Sequence, residues 1–511
     1  MAAKVFLLVL FFGSMVGVGL YSRKHAVSVG DFVLGGRSVG PWLTAFAYGT
    51  SYFSAVVFVG YAGQFGWKYG IASTWIGVGN AFIGSLLAWK VLGGRTRVMT
   101  NHLSAATMPD FFGKRFKSDA LKIAASAIVF VFLIPYTASL YNGLSRLFGM
   151  AFDIPYAVCV ILMATLTGIY VIMGGYMATA INDFIQGIIM IFGIIAVIAA
   201  VLNGQGGFTE AVRSLAVMSG DAGPGMGKTG VYASVFGPDP INLLGVVILT
   251  SLGTWGLPQM VHKFYTIKSR EAVRIGTVIS TLFAVVISGG CYFLGGFARL
   301  FDNPSIHNEA TGGMIYDAII PSMLASLPDI PIGVVVVLVL SASMSTLSSL
   351  VLTSSSTMTL DLIKDHVVKD MSEKKQLFVM RVLIVFFIAI SVVLALDPPT
   401  FIAQLMGISW GALAGAFLAP FLYGLYWRGV TKAAVWASFA CGVGITLSNM
   451  VFHYIASPIN AGAFAMVAGL IVVPVVSLLT PKMDEGEVQE IFECMEELEK
   501  KKEVAGNLVV E

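Results

Sequence analysis

The sequence is short of charge. Lys, Arg, Asp and Glu make up 12% of its 511 residues, about half the share in a typical soluble domain, which excludes an ordinary water-soluble fold. Its 31 basic and 28 acidic residues leave a net charge of +3. The basic residues form no stripe, so the electrostatic footprint of a nucleic-acid binder is missing and no such partner is expected. Cysteine is scarce too. Cys159, Cys291 and Cys441 lie in apolar segments and Cys494 in a charged tail, with no CxxC pair and no histidine cluster, so neither a disulfide framework nor a Cys/His metal site is suggested. The six histidines, His25, His102, His262, His307, His366 and His453, all fall in or near loops. No nucleophile and base converge, and no P-loop motif for ATP is present. Neither an enzyme nor a cofactor is expected.

Hydrophobic residues are plentiful, at 57% of the chain, with a mean hydropathy of +0.84. Apolar runs long enough to cross a bilayer fall near 41–64, 71–93, 121–145, 155–173, 178–202, 242–261, 274–298, 331–358, 378–397, 401–426, 431–455 and 460–480. The stretch from Met1 to Leu20 has its charge mainly behind it, at Arg23-Lys24, and lacks an A-x-A-like site. It reads as a retained span rather than a cleaved signal peptide, which makes thirteen spans in all. Basic residues collect on one side of that arrangement: Arg23, Lys24, Arg37, Arg95, Arg97, Lys114, Arg115, Lys117, Lys263, Lys268, Arg270, Arg274, Lys364, Lys369, Lys374, Lys375, Arg428, Lys432 and Lys482. By the positive-inside rule that side is cytoplasmic, with the N-terminus outside and the C-terminus in the cytoplasm of a multi-pass cell-membrane protein. Residues 203–241 read as solvated loop and 315–331 as a partly apolar helix across an outer mouth. The tail from Asp484 onward places Val488, Ile491, Phe492, Met495 and Leu498 at helical spacing, ahead of Lys500-Lys501-Lys502. It reads as an amphipathic cytoplasmic helix that packs against the rest.

The most hydroxyl-dense patch is Ser341-Ala342-Ser343-Met344-Ser345-Thr346-Leu347-Ser348-Ser349. On a helix, Ala342, Ser345, Thr346 and Ser349 share one stripe, which offers a carbonyl and three hydroxyls. Such oxygens suit a hard cation where they converge in a protein-lined cavity. They serve equally to satisfy a preceding turn or a neighbouring helix. Two apolar runs are interrupted, one by Gly49-Thr50-Ser51-Tyr52-Phe53-Ser54 and the other by Gly253, Gly256 and Pro258. Interruptions at corresponding places in two halves point to an inverted-repeat transporter with unwound carbonyls at midplane; glycines that merely let helices approach are the plainer alternative. Asp183 has no basic residue within twenty positions. An acid inside a span marks a functional site by default, unless it caps a helix in the headgroup region. Its depth, roughly 7 Å into a core of about 30 Å, agrees within a turn with that of Ser349, about 25 Å from the opposite side. Asp183 with Ser345, Ser348 and Ser349 is therefore a candidate enclosure for a second cation.

Four ordered motifs give the chain a resemblance to the sodium:solute symporter family over nearly its whole length. Asp31-Phe32-Val33-Leu34-Gly35-Gly36-Arg37-Ser38-Val39-Gly40-Pro41-Trp42 looks like the lead-in to that family's first core helix, and Gly174-Gly175 through Asn182-Asp183-Phe184-Ile185-Gln186 like the fifth. Met344-Ser345-Thr346-Leu347-Ser348 looks like the eighth, and Tyr426-Trp427-Arg428 like the end of the tenth. The resemblance implies an all-α polytopic membrane protein of about thirteen helices with a five-plus-five inverted-repeat, LeuT-like core. Residues 1–40 would then be an extra N-terminal helix and cytoplasmic loop, 41–430 the transport core, 431–481 two peripheral helices and 482–511 the tail. It further implies a sodium-coupled symporter that imports a small organic solute by alternating access, with sodium ions as coupling ions. The shared sodium site falls on Thr50, Phe53, Ala342, Ser345 and Thr346, and a second sodium on Asp183, Ser345, Ser348 and Ser349.

Candidate solute-binding residues are Ser51, Tyr52, Tyr136, Thr254, Trp255 and Gln404. Tyr136-Thr137-Ala138-Ser139 resembles the proline transporters, whereas Val56 and Thr250 stand where those carry aromatics. No buried Arg or Lys is expected in the spans to pair a strong anion, so an amino acid, another zwitterion or a neutral solute is preferred, with a carboxylate held by backbone donors at a broken helix end as the variant. The competing readings are a transporter-like membrane sensor, for which the tail is too short to supply a kinase domain, and a sodium-independent solute channel. The partners expected are the solute, sodium and the lipid bilayer.

Overall fold

A computed structural model describes residues 2–23, 26–152, 154–308, 312–325, 327–399 and 401–507. Among them the extended regular structure is all helix, with β pairing limited to isolated bridges. A backbone that crosses hydrocarbon has to satisfy its polar groups internally, and helices do this within one segment. Ten described helical stretches are long and apolar enough to cross a membrane, with Leu8–Ser22 and Tyr156–Ile169 as shorter apolar helices. This is a multi-pass membrane protein. The predicted runs all coincide with helices, but their joints differ from a simple series of rods. The first core run is a Pro41–Tyr52 helix that stops at Phe53 and resumes in wide, π-helical turns over Val56–Tyr61. Helical turns then continue to His102, and the predicted loop between 64 and 71 is a sharp break at Gly70, where φ is +61°. A side chain there would run into the Tyr232 backbone.

The fifth and sixth predicted runs are likewise one helical stretch, Tyr156–Gly204, broken at Gly175 with φ 55° and ψ −148°. Glycine is required at that position because L-residues disfavour this backbone region and a Cβ would lie 2.8 Å from the Phe32 carbonyl oxygen. The run at 242–261 divides into Pro240–Gly253 and Pro258–Thr266. Pro258 opens the second piece, where its missing N–H costs nothing.

Burial separates core from periphery. The Pro331–Val367 and Ile402–Tyr426 helices have 94% and 89% of their apolar windows buried, against 33% for Glu373–Leu396 and Lys432–Phe452. Small residues let the backbones close in, as is usual where lipid removes the hydrophobic incentive. Gly66 faces the Gly295 carbonyl, Gly411 packs on Gly462, and Gly442 on Ala416.

Two readings of the surface change. Residues 203–241 are not simply solvated loop: Phe208–Ala216 is a helix whose Ala211 and Leu215 are buried, and Phe208 packs on Phe293 and Phe297. The spacing of Phe208, Ala211, Val212 and Leu215 signals it, but the surrounding glycines mask the pattern. The 315–331 segment holds a 3-10 turn, Tyr316–Ala318, and a short helix, Ile319–Ala325, rather than one helix. The tail is the expected helix, Glu485–Asn507, with Val488, Ile491, Phe492 and Met495 buried; the side chains of Leu498 and Lys500-Lys501-Lys502 lie outside the described part. It is anchored to the basic face by Lys117–Glu490 and Arg428–Glu496 pairs and by the Arg115 guanidinium 4.9 Å from the Phe492 ring centre. On that face Arg37 also donates to the Ala105 carbonyl at 2.6 Å and the Tyr265 carbonyl at 3.2 Å, which joins the lead-in to the end of the second broken helix.

Candidate functional site

The Pro41–Tyr52 helix ends because Phe53 adopts an extended conformation, φ −101° and ψ 96°. Its N–H still donates to Gly49 O at 3.0 Å. Carbonyls in the last turn are left without helical partners, and the polar stripe of the Asp329–Thr357 helix meets them. The Ser345 hydroxyl lies 3.0 Å from Thr50 O and 3.1 Å from Ala342 O. The Thr346 hydroxyl lies 3.1 Å from Thr50 O, 3.4 Å from Ser51 O and 3.1 Å from Ala342 O. Thr50, Ser345 and Thr346 are fully buried. Two hydroxyl protons thus face three carbonyls, and the cluster carries more lone pairs than donors. A cation held by oxygens at about 2.4 Å spaces them about 3.4 Å apart along an octahedral edge, close to the spacing found. Four of the five predicted sodium ligands, Thr50, Ala342, Ser345 and Thr346, converge here. Phe53 forms the break itself, and the carbonyl that the hydroxyls reach beyond Thr50 is that of Ser51, which the sequence reading did not include among the ion's ligands.

The predicted second-cation group comes together differently. The Asp183 carboxylate, fully buried, faces the ammonium of Lys263 at 3.9 Å. That ammonium donates to Ser349 Oγ at 3.0 Å and stands 5.2 Å over the Tyr176 ring. Ser349 Oγ also hydrogen-bonds Ser51 Oγ at 2.8 Å. Ser348 turns back on its own helix and donates to Ser345 O at 2.8 Å. Lys263 therefore corrects two expectations: it is not a basic residue of a cytoplasmic loop, and the core does contain a buried lysine, 2% exposed at its side chain. The apolar run ends near Val261, but the helix restarted at Pro258 continues through Lys263 to Thr266. The signal was the proline itself, which makes a new helix begin there and carry at least two further turns.

The solute candidates divide. Tyr52 stacks on Phe53 with ring centres 4.3 Å apart and donates to Thr250 O at 2.5 Å. Thr254 is engaged with the Gly84 and Ser251 carbonyls and Trp255 Nε1 with Ile83 O, so both hold the second broken helix to its neighbour. Ser51 belongs to the serine pair just described. Gln404 lies in the first turn of the Ile402–Tyr426 helix. Tyr136 is buried beside Trp410, their rings edge to face at 5.9 Å, and Trp410 lies 6.0 Å from Tyr52. Among the described residues neither the Tyr136 hydroxyl nor Trp410 Nε1 makes a hydrogen bond of good geometry, although the two groups lie within polar reach of each other and of Ser54. Trp410 was missed in sequence, because one tryptophan in a hydrophobic run reads as core.

Broken helices that present backbone oxygens to a hydroxyl-lined partner, in an all-helical membrane core, define a polytopic transporter fold. Solved structures agree. A sodium-coupled sialic acid symporter in a substrate-bound outward-open state superposes with TM-score 0.74 at 17% identity, over 94% of this chain and 98% of that one. A nucleobase-cation-symport-1 family transporter in a closed conformation gives TM-score 0.53 at 14% identity, over 90% and 97%. The sodium:solute symporter family profile matches residues 32–442. A sodium/proline symporter of Salmonella typhimurium is 30% identical over 438 residues, 84% of either chain. One from Staphylococcus aureus is 27% identical over 505 residues, 93% of this chain and 92% of its own. The chain belongs to the sodium:solute symporter family.

Proposed function

We propose that this protein is a sodium-coupled secondary symporter that imports a small organic solute by alternating access. It works in the cell membrane, with its N-terminus outside and its C-terminus in the cytoplasm. The observation that carries the reading is the convergence of Thr50 O, Ala342 O and the Ser345 and Thr346 hydroxyls from segments 295 residues apart. Those oxygens bear no formal charge, so they suit a monovalent ion that has to leave on every cycle. Sodium binding there ties the broken Pro41–Tyr52 helix to the Asp329–Thr357 helix, and its release frees them to move apart.

The solute is an amino acid, another zwitterion or a carboxylate. The proline symporters among the relatives support an amino acid, and the Tyr136 hydroxyl and Trp410 indole supply polar edges next to the Phe53 break. With Lys263 engaged by Asp183, a solute carboxylate falls to backbone donors at the broken helix end. Purified protein in liposomes, offered a panel of amino acids, carboxylates and sugars, is expected to concentrate one class only under an inward sodium gradient. Equal accumulation without that gradient removes the coupling, and flux that never exceeds equilibration makes the protein a channel.

A further inference from the structure

We propose that the Lys263 ammonium is a tethered cation standing where a second sodium ion would bind, so that the carrier uses one sodium per cycle. The inference rests on the symporter reading above and deepens it. A carboxylate, serine hydroxyls and an aromatic face make a cation site, and three such groups surround Lys263. Asp183 Oδ2 is 3.9 Å from Nζ, Ser349 Oγ accepts from it at 3.0 Å, and the Tyr176 ring lies 5.2 Å away. Neither Asp183 oxygen has a hydrogen-bond partner among the described residues, so the lysine is what balances its charge. A sodium ion set beside Asp183, Ser348 and Ser349 would meet that ammonium at close range, and the pair would turn from neutral to net positive in a place closed to water.

The position of the lysine also gives it a part in the cycle. Ser349 Oγ, which accepts from the ammonium, also shares a hydrogen bond with Ser51 Oγ, 2.8 Å away. Ser51 follows Thr50, whose carbonyl belongs to the oxygen cluster. The lysine sits on the restarted half of the second broken helix, Pro258–Thr266, and so links that half to the first broken helix through one serine. A tethered charge there holds the two halves in register while the mobile ion comes and goes.

The test is a count of ions. Equilibrium dialysis of the purified full-length protein against radiolabelled sodium is expected to give about one ion per chain for wild type and about two for Lys263→Ala, whose Hill coefficient rises above one. A wild-type count of two overturns the proposal, as does an unchanged count in a folded Lys263→Ala protein. Should Lys263→Ala not fold, the paired variant Lys263→Met with Asp183→Asn removes both charges at similar volume; it is expected to bind one ion, and two would overturn the proposal. A wild-type count of none sinks the sodium coupling proposed earlier and this inference with it, and it is distinct from a count of two, which leaves the coupling standing.

Discussion

Ser345 and Ser349 are one turn apart on the same helix, yet the positions they serve differ in kind. Around Ser345 every oxygen is neutral, a carbonyl or a hydroxyl. Around Ser349 stand an ammonium and, beyond it, a carboxylate. A neutral cluster offers a cation partial charges only, which gives modest affinity and easy release. A buried ion pair is held by its own desolvation cost: separating the charges strands each of them. Under the symporter reading proposed above, the first position is the one that exchanges its ion and the second the one that keeps its charge.

Changes at the ion pair are expected to have the largest effect. Asp183→Ala leaves Lys263 buried and unpaired and should cost about 3–5 kcal/mol of stability, read as a large drop in thermal unfolding temperature in detergent. The charge-free pair Asp183→Asn with Lys263→Met should recover most of it, and failure to recover would mean that the pair is not the unit described. Next comes the break that aims Asp183: Gly175→Ala forces a Cβ against Phe32 in a strained conformation, at about 1–3 kcal/mol, measured in the same assay. At the neutral cluster, Thr346→Ala removes one hydroxyl, worth about 1 kcal/mol. The expected result is a several-fold higher sodium concentration for half-maximal uptake with little change in sodium-free stability, while Thr346→Ser stays near wild type. A loss of fold on Thr346→Ala would erase the contrast between the two positions.

The smallest effect lies away from both. The Asp317 carboxylate accepts from the Ile402 N–H at 3.2 Å, at the start of the Ile402–Tyr426 helix. Burial raises its carboxyl from 3.8 to about 6, against the pull of Arg146 and of that N–H. Between those two values the folded protein holds a proton that the unfolded chain has lost, so stability falls as pH rises through this window and levels off above it. Unfolding temperatures measured from pH 4 to 7 should show that slope in wild type, and Asp317→Asn should flatten it.

Much of this was legible in one dimension. Hydrophobic runs of the right length give the helices, because a membrane makes length and polarity nearly decisive, and the stripe of Ala342, Ser345 and Thr346 follows from helical periodicity alone. The glycine interruption at Gly49–Ser54 correctly marks the broken helix. The Phe208–Ala216 helix was hidden by the glycines around it, and Lys263 by a run that ends before the helix does.

The sequence by itself determined that the chain is a membrane protein with broken helices and a hydroxyl stripe, since those properties are local and periodic. Only the tertiary structure decided that the stripe meets the carbonyls of Thr50 and Ser51, and that the buried acid at Asp183 faces a lysine eighty positions further along. Partners so far apart are chosen by how whole helices cross, and no local pattern encodes the crossing.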